Sequence, residues 1–328
     1  MRHLIFSLVF LVVLLFLGSL LIGPAGLDPI ESLDALIIGD KGMLTMIMRE
    51  IRLPRTLLGL MIGLSLGLAG AAMQGYLRNP LAEPGLIGVS SSAALGAVLA
   101  LQTGLAASFA LALPLMALLG ALFCVLLILL LAGPRGSYLT LILAGIALSA
   151  LSGALTSLVL NLSPNPFAAS EIVFWMMGSL ADRSMVHVWI ALPLMILGWL
   201  LLGLLGRGLD ALTLGEDAAE AMGVSMYRLR LLLVFGVAAV VGASTAVAGA
   251  IGFVGLVIPH LLRPLVGAQP SRLLLASAIG GGIMLLAADI SVRLILPNQD
   301  LKLGVLTALV GAPLFLHLIY KTRGERGS

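Results

Sequence analysis

Charged residues are scarce in this chain. Asp, Glu, Lys and Arg make up only 10% of its 328 residues, whereas 60% are hydrophobic. An ordinary soluble domain carries about a quarter charged residues, so a soluble globular protein is excluded. A bilayer offers no water to the backbone, and such a chain must therefore cross it as helices or as a closed barrel. Barrel strands are short and alternate in polarity, while the apolar runs here are long, so we expect helices.

Cysteine and metal-ligand clusters are also nearly absent. The single cysteine, Cys124, excludes a disulfide framework within the chain. The 4 histidines are scattered without ligand spacing, so no metal site and no cofactor are expected in this chain. No Walker A loop and no serine or cysteine nucleophile with partners are found. An enzymatic function therefore has no support in the sequence.

The basic residues form no stripe, although the net charge is +3 and the pI is near 9.4. They lie dispersed between apolar blocks rather than on one surface. A nucleic-acid partner is therefore not expected.

About ten apolar runs approach the roughly 20 residues that a spanning helix needs. They cover residues 4–22, 56–77, 86–103, 108–131, 139–160, 187–206, 231–250, 252–268, 272–292 and 303–319. The third and eighth are the least clearly delimited. The first is longer than the roughly 7–15 residues of a signal-peptide core, so a retained span is favoured over a cleaved signal. We expect an all-α polytopic membrane protein with one transmembrane domain over residues 1–328.

Polar segments at about 23–55, 161–186 and 207–230 connect these runs. An even number of spans places both termini on one side of the membrane. The basic tail Lys321–Arg326 favours the cytoplasm for that side. The first two segments are then periplasmic connectors, and the third is a cytoplasmic loop.

A short internal match suggests a repeat. Ala69–Ala71 is followed by Pro80, and Ala248–Ala250 by Pro259, at an offset of 179 residues. That offset covers about five spans, and an odd number of spans inverts the second copy, as in many transporters. In a chain rich in Ala and Gly, a chance match is an equal alternative.

Two segments at related places in the halves are predicted to contain broken helices. The first carries Asn79, Pro80 and Pro84, and the second carries Gly252, Gly255 and Pro259. Proline interrupts a helix because it lacks an N–H and clashes with the preceding turn. Discontinuous helices in matching halves indicate a transport path, so these residues are candidates to line it; a simple turn is the alternative for the first segment.

The loop at 207–230 carries signals for two helices, of which the second runs into the seventh apolar run. Thr213 and Glu216 predict a capping box, Gly223 predicts a left-handed helix end, and Ser225 can cap the next helix. A rigid pair of helices outside the membrane suits docking to a soluble partner. From the capping signals alone, an ordinary polar loop is the favoured alternative.

Three further patterns concern packing. A stripe of small residues in the second run allows close helix approach; it consists of Gly59, Gly63, Gly67 and Gly70. Asp289 and Arg293 lie one turn apart and are expected to pair. The apolar residues Phe174–Met177 are candidates to line an apolar recess or to anchor a helix at the interface.

A set of longer motifs is spread over nearly the whole chain. They are Arg52–Arg55, Asn79–Gly85, Phe174–Gly178, Leu214–Glu216, Ala221–Gly223, Gly249–His260, Ala288–Asp289 and Gly304–Pro313. With these motifs the chain resembles the FecCD family, the permeases of ABC importers for iron chelates, haem and vitamin B12.

The resemblance implies a type II ABC importer permease with ten spans in two inverted halves, located in the bacterial inner membrane. It implies a homodimer, two cytoplasmic ATPase subunits that bind ATP and Mg, and a periplasmic substrate-binding protein. The expected cargo is an iron chelate such as a ferric siderophore, with haem or cobalamin as alternatives. The permease itself is expected to perform no chemistry.

The resemblance also implies roles for particular residues. The loop that sits in the ATPase cleft contains Leu214, Gly215, Glu216, Ala219, Met222 and Gly223. Arg52, Arg55 and Arg293 are expected to face the periplasm and receive glutamates of the binding protein. This role explains why Arg52 and Arg55 depart from the positive-inside bias. The cytoplasmic gate matches Tyr138 and Leu139, where the vitamin B12 member carries small hydroxyl residues.

A second interpretation is an ion-coupled secondary carrier, because such carriers also contain inverted repeats. A carrier normally needs an ion or proton site near the membrane midplane, and the spans offer almost no central carboxylate. A purely structural scaffold is a third class, and the broken helices argue against it.

Overall fold

The computed structural model of the chain describes residues 1–23, 26–39, 42–109, 111–133, 138–163, 166–295 and 301–325, with the backbone alone at 166, 168, 317–319 and 321–325. Over these ranges the chain forms helices and connecting turns, with no strand.

The helices follow one another with short connections. In chain order they are α1 (Arg2–Leu21), α2 (Pro29–Ile37), α3 (Met43–Met46), α4 (Leu53–Tyr76), α5 (Val89–Gln102), α6 (Leu105–Ser108), α7 (Ala112–Ala132), α8 (Tyr138–Asn161), α9 (Pro166–Met176), α10 (Met185–Gly203), α11 (Gly206–Leu212), α12 (Glu216–Ala221), α13 (Met226–Ala248), α14 (Val254–Leu262), α15 (Pro270–Ile295) and α16 (Leu303–Glu325). A π-helical turn at Ile47–Arg52 joins α3 to α4, and 3-10 turns at Pro84–Ile87 and Pro264–Val266 precede α5 and α15.

Ten of these helices lie on the predicted apolar runs: α1, α4, α5, α7, α8, α10, α13, α14, α15 and α16. In the described part of the chain, 7 helices are long and apolar enough to cross a bilayer. The third and eighth runs form short helices, since α5 has 14 residues and α14 has 9. The prediction of an all-α polytopic membrane protein is confirmed.

The packing of the helices repeats in two sets. Helix α4 of the first half contacts α14 and α15 of the second half. Correspondingly, α13 of the second half contacts α5 and α7 of the first half. Within the halves, α5 contacts α7 and α8, just as α14 contacts α15 and α16. Exchanging the two halves reproduces these contacts. Four of the helices on apolar runs lie between α4 and α13, namely α5, α7, α8 and α10, so α4 and α13 cross the bilayer in opposite directions. The second half is therefore inverted relative to the first.

The short sequence match does not mark equivalent positions in this repeat. Ala69–Ala71 lies inside α4, which continues to Tyr76, whereas Ala248 is the last residue of α13. The repeat is carried by helix packing rather than by that motif.

The centre of the bundle is the crossing of α4 and α15. A Cβ atom added at Gly63 would clash with the carbonyl oxygen of Gly281, and one at Gly67 with that of Ser277. Gly70 approaches the backbone of Gly255 in the same way. The predicted role of the glycine stripe in close packing is confirmed at these positions.

Helix α1 is tied to this bundle rather than lying apart from it. Ser19 and Leu20 are buried at its end, and α1 packs along α15. The Ser19 hydroxyl bonds to that of Thr56 in α4 at 2.9 Å. These contacts favour the retained first span.

Candidate functional site

The loop at 207–230 is fixed to the start of α15 by Asp210. Its carboxylate accepts hydrogen bonds from the backbone N–H of Ser271 at 2.8 Å and from Nε2 of Gln269 at 3.0 Å. Desolvation by burial opposes the charged form, but the hydrogen bonds from Ser271 and Gln269 outweigh it. Together with Arg272, they lower the pKa of Asp210. The loop is therefore anchored to the bundle.

The predicted capping box at Thr213 and Glu216 is wrong. The Thr213 hydroxyl donates to the carbonyl of Asp210 at 2.6 Å, so it closes the end of α11. Gly215, with a φ of +107°, precedes the first residue of α12 and turns the chain between the two helices. Such a conformation favours glycine. Glu216 does lie in the first turn of α12.

The other two signals in this loop are confirmed. Gly223 has a φ of +84° just after α12, which is the left-handed helix end expected there. Ser225 is the N-cap of α13, and its hydroxyl accepts from the N–H of Arg228 at 3.4 Å. The helix–turn–helix shape expected of the loop is therefore present.

The outer surface of the loop combines apolar and acidic groups. Leu214 is 69% exposed and Met222 is 64% exposed, while Ala219 of α12 is buried. Glu216 and Glu220 are exposed beside these side chains. Large apolar side chains held out from a rigid support are typical of an interaction surface.

Replacing Asp210 with asparagine is expected to lower the melting temperature at neutral pH by about 2–4 °C, since roughly 1 kcal/mol of hydrogen bonding is lost. The pKa of Asp210 is lowered in the folded state. Its stabilisation is therefore present above the ordinary pKa of about 3.9 and is lost as the pH falls through the lowered value. Thermal unfolding of the purified protein across this range measures the effect. Asp217→Asn, exposed on the same loop, is the control, and a difference independent of pH would contradict the role of the carboxylate.

The arginines predicted to dock a partner lie at the opposite end of α4 and α15. Arg52 donates to the carbonyl oxygens of Leu20 at 3.0 Å and Leu21 at 2.8 Å. Arg293 donates to those of Ser19 at 2.8 Å and Ile22 at 2.7 Å. Both guanidinium groups thus satisfy carbonyls that the last turn of α1 leaves without helical partners.

Two of these arginines are buried within the single chain, and the docking role of all three stays a prediction. Arg52 is only 5% exposed and Arg293 only 8%. Arg55 is the most accessible, with 20% of its side chain exposed. Arg49 donates to carbonyls at the end of α2. Arg49 and Arg52 thus both have hydrogen-bond partners within the chain itself.

Asp289 joins two of these arginines in a buried cluster. Its Oδ1 lies 2.8 Å from Nη2 of Arg55, and its Oδ2 lies 2.8 Å from Nη2 of Arg293. The Asp289 side chain is 1% exposed. The predicted pair of Asp289 and Arg293 is confirmed, and Arg55 is an additional partner from α4.

The broken helices of the two halves meet at a small cavity of about 150 Å³. Pro84, Gly252 and Gly255 line it together. Asn79 and Pro80 are not brought to it, because they lie on an exposed turn after α4 where Asn79 Oδ1 accepts from the N–H of Leu81.

Pro259 does not line this cavity either. It is buried within α14, one turn beyond Gly255. The candidate path residues are therefore divided between the cavity, an exposed turn and the interior of α14.

Glu83 is a further functional candidate, and it is not among the residues predicted from the sequence. Its Oε1 accepts from the N–H of Phe253 at 3.0 Å and thereby joins the two halves. Phe253 has a φ of +68°, directly before α14. A carboxylate between two prolines in a broken segment was the available signal. Its partner 170 residues away was not readable from the sequence.

A larger apolar recess of about 510 Å³ lies beside α16. Met176 and Met177 line it, together with Gly304 and Pro313. The prediction of a recess is confirmed for these methionines. Phe174 points elsewhere and is 57% exposed.

The predicted gate residues begin α8. Tyr138 is 43% exposed and Leu139 is 54% exposed. Both side chains are accessible at the surface of a single subunit. Their role as a gate stays a prediction.

Comparison with known proteins identifies the family of this architecture. The sequence pattern of the FecCD transport family matches residues 11–321. The chain belongs to the FecCD transport family. This FecCD protein is 40% identical over 326 residues to a vitamin B12 import system permease protein, BtuC, of Klebsiella pneumoniae, covering 99% of this chain and 95% of the relative. It is 41% identical over 293 residues to the ABC transporter permease protein YvrB of Bacillus subtilis, covering 88% and 82%.

Solved structures agree with this assignment. A chain from an inward-facing metal-chelate type ABC transporter superimposes with a TM-score of 0.87 at 36% identity, covering 98% of this FecCD protein and 100% of that chain. A chain of PsaBC from Streptococcus pneumoniae superimposes with a TM-score of 0.57 at 16% identity, covering 88% and 94%, and shares the fold. The FecCD chain is thus a multi-pass permease of an ABC importer.

Proposed function

We propose that this chain is the permease subunit of an importer that moves an iron chelate, such as a ferric siderophore, across the bacterial inner membrane. ATP and Mg bind in separate cytoplasmic ATPase subunits, and the permease itself catalyses no reaction. Both termini are cytoplasmic. The observation that carries this proposal is the loop bearing Leu214 and Met222, which exposes an apolar surface while Asp210 ties it to α15.

The contacts provide a route from this loop to the centre of the bundle. A partner that moves the loop pulls on Ser271 and Gln269, because Asp210 holds both. Gln269 directly precedes α15 and Ser271 lies in its first turn, and α15 crosses α4 through backbone contact at Gly67. Closely packed helices shift as rigid units rather than deforming. The movement therefore reaches the helices that carry the path.

A second copy of the chain completes the path in this proposal. Helix α8 exposes the small residues Ala147, Ala150 and Ala154 within an apolar helix. Small residues allow close approach of helices in lipid. Tyr138 and Leu139 from two copies then form the gate at the cytoplasmic end, with the broken segments nearby.

A periplasmic binding protein docks at the opposite face in the proposed assembly. Arg55 is accessible enough to contact a carboxylate of that partner, whereas Arg52 and Arg293 contribute positive potential from their buried positions. Such complementarity mainly increases the rate and specificity of association.

Cobalamin is the second candidate cargo, and a specific observation favours it. The chain is 40% identical to vitamin B12 permeases over nearly its whole length. The ferric-chelate proposal rests on the gate, where Tyr138 and Leu139 are larger than the small hydroxyl residues of the vitamin B12 member. The apolar recess at Met176 and Met177 suits a bulky cargo of either class.

Transport by the permease reconstituted with its ATPase and binding protein tests this proposal. Uptake of a radiolabelled ferric siderophore into liposomes is expected to require ATP. Introducing Leu214→Glu and Met222→Glu together is expected to reduce it at least tenfold, because central apolar anchors of an interface often contribute 2 kcal/mol or more. Leu265→Glu is the control, because Leu265 is 60% exposed and lies on another turn, at Pro264–Val266.

The alternatives predict different outcomes in the same liposomes. Uptake of radiolabelled cobalamin but not of the siderophore would replace the substrate. Uptake that continues without ATP and collapses with an uncoupler would identify a secondary carrier and overturn the importer proposal.

A further inference from the structure

A groove of about 760 Å³ opens on the outer surface of the bundle between α10 and α15. Its floor is formed by Leu64 and Leu68 of α4, and its walls include Leu204 and Leu275. The two wall residues are 69% and 53% exposed. Neither the exposed loop residues Leu214 and Met222 nor any candidate path residue lines this groove.

The groove is apolar along most of its length and polar at one end. Ser271, at the loop end of α15, and Ala278, two turns further along it, both line the groove. With a rise of 1.5 Å per residue, these positions lie roughly 10 Å apart along the helix. Arg207, at the beginning of α11, lines the groove at the same end as Ser271.

Arg207 is a cation without a partner among the residues that the structure describes. Its side chain is exposed, and neither an ion pair nor a hydrogen bond engages it there. Asp210 lies three residues further along the same helix. The carboxylate of Asp210 is directed to Ser271 and Gln269, so Arg207 remains available to an anion.

We propose that this groove binds an anionic phospholipid. One acyl chain lies along Leu68 and Leu275, and the phosphate group is held by Arg207. In a membrane-spanning bundle the surrounding medium supplies such molecules, and basic pockets between helices at the cytoplasmic side recognise anionic lipid head groups. An apolar groove ending in one unpaired cation matches both parts of that ligand.

The position of the groove gives the lipid a consequence for coupling. The groove is lined by residues of α10, α11 and α15, next to the hydrogen bond by which Asp210 holds the loop to α15. A bound lipid therefore stabilises this attachment of the loop. Only this consequence rests on the proposed importer function, since binding itself is a property of the chain.

Native mass spectrometry of the purified full-length chain tests the binding. The chain is titrated with phosphatidylglycerol or with phosphatidylcholine, which share acyl chains and differ in charge. Phosphatidylglycerol is expected to bind more tightly. Arg207→Gln should reduce that preference about fivefold, because a basic residue near an anionic lipid contributes on the order of a fivefold change in affinity. Arg207→Lys should retain most of the preference.

Two further variants separate the parts of the site. Arg78→Gln, an exposed arginine after α4 and outside the groove, should leave binding unchanged. Ala278→Trp fills the apolar part and should weaken both lipids. Equal binding of both lipids to the wild type, or an Arg78→Gln effect as large as that of Arg207→Gln, would overturn the proposal. Displacement of the lipid by inorganic phosphate alone would also overturn it and identify a simple anion site.

The coupling consequence has a separate measurement. ATPase activity of the assembled importer in nanodiscs should rise when phosphatidylglycerol is added to phosphatidylcholine, and Arg207→Gln should abolish the rise. If the isolated chain bound the lipid but the lipid did not stimulate ATPase activity, the binding site would be supported and its effect on coupling would be refuted. An assembly inactive in every lipid would count against the importer function instead.

Discussion

Replacing Gly67 with leucine is expected to abolish the folded protein. A Cβ atom at this position would clash with the carbonyl oxygen of Ser277, and the obstacle is backbone rather than a side chain that can rotate away. Overpacking a core usually costs about 1–3 kcal/mol and occasionally more. At the crossing of α4 and α15 we expect the loss to exceed that range. Gel filtration in detergent should show aggregate in place of a single peak.

Gly203 supplies a matched control for this experiment. It is the last residue of α10, and a Cβ atom there would meet nothing within 4 Å. Gly203→Leu introduces the same side chain into another spanning helix and should leave the gel-filtration peak intact. The graded pair Gly67→Ala and Gly203→Ala measures the clash by thermal unfolding. Equal melting temperatures for these two alanine variants would refute the close approach of the helices.

Replacing Asp289 with asparagine is expected to lower the melting temperature by about 10 °C. The substitution keeps the shape of the side chain but leaves Arg55 and Arg293 without a counter-charge. Removing one partner of a buried ion pair typically costs about 3–5 kcal/mol, and 1 kcal/mol corresponds to roughly 2–4 °C in a large domain. Arg55→Gln should have a smaller effect because 20% of that side chain is exposed.

Asp182→Asn is the control for the aspartate substitution. Asp182 is exposed and has a φ of +56°, a conformation that asparagine also tolerates. Its melting temperature should match that of the wild type. If Asp289→Asn unfolded at the wild-type temperature as well, the buried cluster would have no role in stability.

The arginine cluster also limits how a docking experiment can be interpreted. Arg52 and Arg293 hold the end of α1 in place through its carbonyl groups. Their substitution therefore changes the fold and the surface together. Arg55 combines accessibility with the mildest expected structural effect, so it is the residue at which docking and stability can be distinguished.

Much of the candidate site could be located from the sequence, but its internal geometry could not. Gly223 and Ser225 are correctly predicted as a helix end and a helix cap, since both depend on nearby backbone. Thr213 satisfied the same local pattern and still closes the preceding helix, because Gly215 turns the chain before α12 begins. When two local signals compete, backbone geometry determines which one forms.

What the sequence determined by itself is the set of apolar helices and the glycine stripe of α4. Length, hydropathy and residue size are local properties, and a bilayer leaves little choice of structure for them. Only the tertiary structure decided where the charged groups point. The outward or inward position of Arg52 and Arg293 depends on carbonyls of α1 that lie far away in sequence. The joining of Glu83 to Phe253 likewise depends on how the inverted halves meet, since no local pattern encodes the distance between groups on different helices.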